Sequence, residues 1–169
     1  MKGDERKLEI LNLLKESKNP IKGAYLAERF GVTRQVIVQD IALLKAQGHN
    51  IVSTPQGYIF LGGNESYSRV IAVKHEPKDI EEELKTIIKL GGKVIDVTIE
   101  HKVYGEITGK LMLKSLYDVE KFIERLRESS DMPLSNLTGG VHLHTIEADS
   151  EETLERIVKE LDKKGFLID

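Results

Sequence analysis

The chain has 169 residues, 40% of them hydrophobic and 31% charged, which suits a soluble globular protein with one or two cores. It contains no cysteine, which excludes disulfides and thiolate metal sites, and no apolar run approaches the length that spans a bilayer. The net charge of −3 is uneven: residues 1–61 carry nine Lys and Arg against six Asp and Glu, and residues 62–169 carry sixteen against twenty-two. A basic head on an acidic body points to nucleic acid as the partner of the head. The N-terminus, MKGDERKLEI, is charged where a signal peptide needs an apolar stretch, so a cytoplasmic location without a membrane partner is expected.

From the N-terminus, DERKLEILNLLKES places Leu8, Ile10, Leu11 and Leu14 at helical spacing, and Pro20 breaks the pattern. GAYLAERFG predicts a short second helix with Ala24, Leu26, Ala27 and Phe30 on its apolar side and Gly31 as its stop. Thr33 is the expected N-cap of a third helix, TRQVIVQDIALLKAQG, whose inward stripe is Ile37, Ile41 and Leu44 and which Gly48 ends. NIVSTPQGYIFLG reads as a hairpin around PQG. Three helices with a glycine-containing turn before the third make a helix-turn-helix, and the hairpin makes it winged. GGNES, residues 62–66, is small and polar and is the expected linker between domains at 1–61 and 67–169.

With the apolar stripe of the third helix turned inward, Thr33, Arg34, Gln35, Val38 and Gln39 are left on its outer, N-terminal side. Arg and Gln form bidentate bonds to guanine and adenine edges in the major groove. Lys22 and the wing residues Ser53, Thr54, Gln56 and Tyr58 are candidates for phosphate contacts. Helical trios also serve as protein-interaction domains, but the polar outer side favours double-stranded DNA. The run LAERFGVTRQVIVQDIALLKAQGHNI resembles the winged helix of the biotin-repressor type. That resemblance implies that Asp40 is a structural residue and does not read bases.

From Tyr67 onward strands and helices alternate. RVIAVKH, KVIDVTIEH, EITGKLMLK and VHLHTIEA are the expected strands. PKDIEEELKTIIKL, with Pro77 early, then SLYDVEKFIERLRESS, capped by Ser115, and DSEETLERIVKELDKKG are the expected helices. The order βαββαβα predicts an α+β fold, a two-layer sandwich with a mostly antiparallel sheet and helices on one face. HPr-like and ferredoxin-like arrangements share this order.

Four of the five histidines fall in this second half. Alternation along a strand puts His75 in step with Ile71 and Val73, and His101 in step with Ile95, Val97 and Ile99. His142 and His144 are in step with each other and with Ile146 and Ala148. In the helix after His75, Glu83 falls inside the apolar arc of Ile80, Leu84, Ile87, Ile88 and Leu90. A carboxylate there needs a partner, because burying it unpaired is costly. A lysine at the helix edge is one candidate, and a cation shared with the histidines is another. Three imidazoles and a carboxylate, without cysteine, suit a divalent transition metal such as zinc, nickel or iron. On this reading the ligands are His75, Glu83, His142 and His144, and His101, followed by KVYGE, is a fourth histidine ligand or a contact to a small molecule.

VKHEP, VTIEHKVYGEI and GGVHLHTIEA, in this order behind that winged helix, resemble the three-histidine (3H) regulatory domain of niacin-responsive transcriptional repressors, over essentially the whole chain. The resemblance implies an HPr-like regulatory domain, a homodimer, and nicotinic acid as co-repressor in the control of NAD-biosynthesis or niacin-uptake genes. It implies a metal, nickel or zinc, at His75, Glu83, His142 and His144. His101, Tyr104 and Gly105 are assigned to the effector by position and polarity. The expected protein is thus no enzyme but a switch that binds a palindromic operator as a dimer. Two alternatives remain: a repressor whose effector is the metal itself, and a metal hydrolase fused to a winged helix. The second lacks an HExxH-type motif, although Glu100, Glu106 and Glu147 are available as bases.

Overall fold

The structure is a computed structural model that describes residues 1–62 and 66–168. It divides into two compact units, residues 1–64 and 65–169, each with its own core. Residues 63–65 of the expected linker lie outside the described residues.

The first unit contains helices α1 (Gly3–Glu16), α2 (Gly23–Phe30) and α3 (Arg34–Ala46) and the hairpin β1 (Ile51–Thr54) and β2 (Gly57–Phe60). Its core joins Ile10, Leu11 and Leu14 of α1 to Leu26 and Ala27 of α2, to Ile37, Ile41 and Leu44 of α3, and to Ile51. Leu8 is exposed, contrary to the expected stripe. It lies two residues, about 200° of helix, from Ile10, so one buried face cannot hold both. Ala24 is exposed as well, at the edge of the α2 arc. Gly31 adopts a left-handed conformation (φ 63°) at the end of α2, and the Thr33 side chain accepts the Val36 N–H at the start of α3. The wing is fastened to the helices where Ile21 and Tyr58 exchange backbone hydrogen bonds of 2.9 and 2.8 Å.

The second unit runs β3 (Tyr67–Lys74), α4 (Ile80–Lys89), β4 (Lys93–His101), β5 (Gly105–Leu113), α5 (Leu116–Glu128), β6 (Val141–Ala148) and α6 (Glu151–Lys163). Helix α4 is entered through a 3-10 turn at Pro77–Asp79, and a second 3-10 segment, Leu134–Thr138, precedes β6. All strand pairs are antiparallel and the sheet order is β3-β6-β4-β5. The last strand therefore sits between the first two, the HPr-like arrangement; a ferredoxin-like sheet would put the third strand there. Ser115 and Ser150 cap α5 and α6 by accepting the N–H groups of Asp118 and Thr153. The C-terminal segment returns to β3, with Ile168 N–H donating to Ala72 O and Lys74 N–H to Phe166 O, so the outer edge of β3 is partly paired.

Two bulges break the expected alternation. Against β6, strand β4 carries an extra residue between Val94 and Thr98; against β4, strand β5 carries one between Lys110 and Leu113, where Met112 has φ 50°. Val94 consequently joins the core cluster and Ile95 does not. The phase read as Ile95–Val97–Ile99–His101 is thus interrupted at its first member.

Candidate functional site

Strand β6 carries His142 opposite Val73 and His144 opposite Ile71 of β3, so both imidazoles lie on the core side of the sheet. His75 follows β3 by one residue and continues the same inward alternation. Glu83 sits on the inner face of α4 and is 1% exposed. These four side chains, from three elements, meet at one point. His75 Nε2 contacts Glu83 Oε2, His142 Nε2 lies 3.4 Å from the same oxygen, and His144 Nε2 lies 2.7 Å from Glu83 Oε1. Ligand atoms of His75, Glu83 and His142 fall within 4.8 Å of one another, and His144 joins them through the second carboxylate oxygen. The rings of His75 and His142, and of His142 and His144, are edge-on at 4.8 and 4.7 Å. Among the described residues no lysine pairs with Glu83. The neighbouring carboxylates take the lysines instead, Glu81 pairing with Lys85 and Glu82 with Lys164.

The outer nitrogen of each ring explains what the inner one is free to do. His75 Nδ1 meets Glu76 O at 2.9 Å, His142 Nδ1 meets Gly140 O at 2.9 Å, and His144 Nδ1 meets Asp96 O at 2.6 Å. A carbonyl accepts only, so each Nδ1 carries the proton and donates. A neutral ring then presents its Nε2 lone pair to the carboxylate, an acceptor facing an acceptor. Three such pairs around one buried carboxylate repel unless a cation lies among them or the rings are protonated. Glu83 Oε1 is also, among the described residues, a buried oxygen without a hydrogen-bond partner, since the His144 approach lacks hydrogen-bond alignment. Imidazoles fixed through Nδ1 by backbone carbonyls, with Nε2 converging on a carboxylate, are the donor set of a histidine–carboxylate metal site. Without a cation, burial raises the Glu83 pKa, but protonation of the His144 and His142 rings, which puts positive charge beside the carboxylate, outweighs it and brings it down to about 2. For His144 burial works downward, and Glu83 wins and moves its pKa up.

Two residues that sequence reasoning passed over complete the site. Asp96 is the residue at the β4 bulge whose carbonyl orients His144, and its side chain accepts the Thr145 N–H at 2.9 Å. An Asp inside the β-branched run KVIDVTIE was the available signal, because Asp is disfavoured in regular strands. Gly140 has φ 96°, and a Cβ there would collide with the His75 carbonyl oxygen, so the loop can reach β3 only with glycine at this position. The GG before VHLH was that signal.

The cluster opens on a cavity of about 200 Å³ between the sheet and α4, α5 and the 3-10 segment. Glu83, His142, His144 and Ser135 give it one polar end, and the rest is apolar, with Leu84, Val97, Leu111, Phe122 and Leu134 among its walls. The residues assigned to the effector do not reach it. His101 Nδ1 accepts the N–H groups of Val103 and Tyr104 and so closes the β4–β5 hairpin, Tyr104 is largely exposed beside it, and Gly105 makes the turn at φ 73°. Their polarity serves a tight turn. Glu100, Glu106 and Glu147 do not line the cavity either.

In the first unit, Lys22, Thr33, Arg34, Gln35, Val38 and Gln39 are all exposed, and Ser53 is exposed on the wing. Several of the wing residues are engaged locally. Ser53 Oγ accepts from Lys45 Nζ, Thr54 Oγ1 bonds within the wing turn to Gly57 O and Gln56 N–H, and Tyr58 packs on the core. The Gln56 amide is turned inward, its oxygen and nitrogen both buried. Asp40 is buried and holds Arg6 through two hydrogen bonds of 2.6 and 3.2 Å, a brace between α1 and α3.

Comparison with known proteins identifies the two domains. Residues 68–169 match the 3H domain and residues 6–59 an HTH domain. The probable transcription repressor NiaR of Thermotoga maritima is 53% identical over 165 residues, spanning 98% of this chain and 94% of that protein. The transcription repressor NadR of Bacillus subtilis is 41% identical over 170 residues, spanning 98% of this chain and 94% of that one.

Proposed function

From a chain that belongs to the 3H-domain family and carries an HTH domain ahead of it, we propose a DNA-binding transcription repressor controlled by nicotinic acid, with a divalent metal as part of the effector site. The observation that carries the effector part is the buried cluster of three imidazoles and one carboxylate at the polar end of an otherwise apolar cavity. His75, Glu83, His142 and His144 would hold nickel or zinc. The metal would supply a Lewis-acidic centre for an anionic or nitrogen-donor ligand. The largely apolar walls match an aromatic ring, and the dimensions suit a single one, since an apolar cavity of about 150 Å³ lodges benzene. Among the described residues Glu83 is the only carboxylate lining the cavity, and it belongs to the cluster, so no separate general base faces a substrate. Control of transcription, not hydrolysis, is the function this arrangement supports.

An effector changes DNA affinity only if it prefers the DNA-competent arrangement. In our proposal nicotinic acid does so in a cytoplasmic dimer whose two recognition helices match a palindromic operator. Arg34, Gln35, Val38 and Gln39 enter the major groove, and Thr33, Lys22 and exposed Ser53 of the wing hold phosphates. Among the described residues no helix is long and apolar enough to cross a membrane. The test is binding of metal-loaded protein to an operator fragment at fixed salt, with nicotinic acid, with nicotinamide and with neither. Tightening by nicotinic acid alone is expected. A response to metal removal without any response to nicotinic acid would make the metal the signal and overturn the effector assignment.

A further inference from the structure

We infer that Gly109 is the specificity-determining residue of the cavity: by having no side chain it leaves room for one unfused six-membered ring and no more. The inference rests on the proposal that nicotinic acid occupies this cavity. Glycine in the interior of a strand weakens it, through entropy and the missing side chain, so its presence needs a reason. The usual reasons are a left-handed backbone or the close approach of another main chain. Neither holds here. Gly109 is not among the glycines with positive φ, and a Cβ on it would meet only side-chain atoms, Leu134 Cδ1 and Val97 Cγ1, each at an ordinary 3.6 Å. Gly140, by contrast, meets both conditions.

What Gly109 does face is the cavity. It pairs with Val97 across the β4–β5 ladder, and both line the cavity together with Leu111. Phe122, Leu126 and Leu134 stand among the other walls. A side chain at Gly109 would therefore enter the space for the ring and disturb neither the backbone nor the histidine cluster. The ligand class that follows is a small monocyclic aromatic acid, and a fused second ring is excluded.

The experiment is calorimetric titration of the full-length, zinc-loaded protein with nicotinic acid and with quinoline-3-carboxylic acid, which is the same ring bearing a fused benzene. Wild type, Gly109→Ala and Gly109→Val are compared, with metal content and thermal unfolding recorded for each. Nicotinic acid affinity is expected to fall about tenfold in Gly109→Ala and about a hundredfold in Gly109→Val, the cost of surplus carbons in a filled apolar pocket. Metal content should stay at the wild-type level in both, and wild type should not bind the quinoline acid. Unchanged nicotinic acid affinity in both variants would overturn the inference while leaving the effector proposal standing. So would wild-type binding of the quinoline acid as tight as that of nicotinic acid. Metal loss in step with affinity would assign Gly109 to packing of the cluster and also overturn it. Wild-type protein that keeps its metal yet binds no nicotinic acid would defeat the effector proposal itself, and this inference with it.

Discussion

The two units keep their polar chemistry in opposite places. In the helix-turn-helix unit the side chains of α3 suited to bases stand in solvent, and buried Asp40 is consumed by Arg6. In the 3H unit three histidines and Glu83 are buried together, with no Lys or Arg side chain among them in the described residues. The difference teaches how to tell a brace from a site. A buried carboxylate that finds a guanidinium is fully satisfied, and removing either partner costs stability. A buried carboxylate ringed by imidazoles whose protons are already given to backbone carbonyls remains unsatisfied until a cation arrives or the rings take up further protons.

Metal removal is the largest lever on that contrast. A ligand that binds only the folded state stabilises by about 4 kcal/mol at a thousandfold excess over its dissociation constant. Stripping the metal should thus lower the unfolding temperature of the 3H unit and leave the helix-turn-helix transition where it was. Calorimetric scans of loaded and chelated protein that moved both transitions equally, or neither, would break the distinction. Glu83→Ala should act in the same direction by weakening metal binding more than about a hundredfold, the upper range for loss of an outer-shell partner. Competition with a chromogenic chelator measures this, and wild-type affinity in the variant would remove Glu83 from the ligand set.

Gly140→Ala comes next. The strained backbone and the collision with the His75 carbonyl should cost about 1–3 kcal/mol of stability in the 3H unit, together with a measurable loss of metal affinity. Denaturant melts with parallel metal analysis test it, and a variant indistinguishable from wild type would show that the loop has another route past β3. Asp40→Asn is the counterpart in the other unit. Its brace is partly shielded, so a loss of about 1–3 kcal/mol is expected, between the values for exposed and buried pairs. Metal content should not change, and if it did the two units would not be separable.

The smallest effect on folding should come from Arg34→Ala, since the side chain is exposed. Stability should stay within about 0.5 kcal/mol. Operator affinity should fall by about 1–3 kcal/mol with relaxed preference at one base pair. A uniform loss on all sequences, with a shallower salt dependence, would instead make Arg34 a phosphate contact.

Element type and order were legible in the chain because they depend on short-range periodicity. The α1–α3 stripes, the Thr33 and Ser115 caps and the βαββαβα order all express spacings of two to four residues. Glu83 on an apolar arc was readable for the same reason, and so was the shared face of His142 and His144. The resemblance to the 3H domain then drew the four residues into one set. Leu8 shows the limit of local pattern, because two incompatible helical faces both looked apolar until packing against α3 chose one.

The tertiary structure decided everything that depends on register between distant segments. The extra residue of β4 between Val94 and Thr98 exists only against β6, and Asp96, which lies within that stretch, meets His144 through its carbonyl. The closeness of Gly140 to His75 depends on how the loop before β6 returns to the end of β3. His101, polar and in step with its neighbours, looked like part of a site, yet the hairpin turn claims its ring. The cavity has walls from β4, β5, α4, α5 and the 3-10 segment, and no window of sequence contains them together. Local pattern determined which side chains face inward; only the assembled sheet and helices determined which of those inward side chains meet.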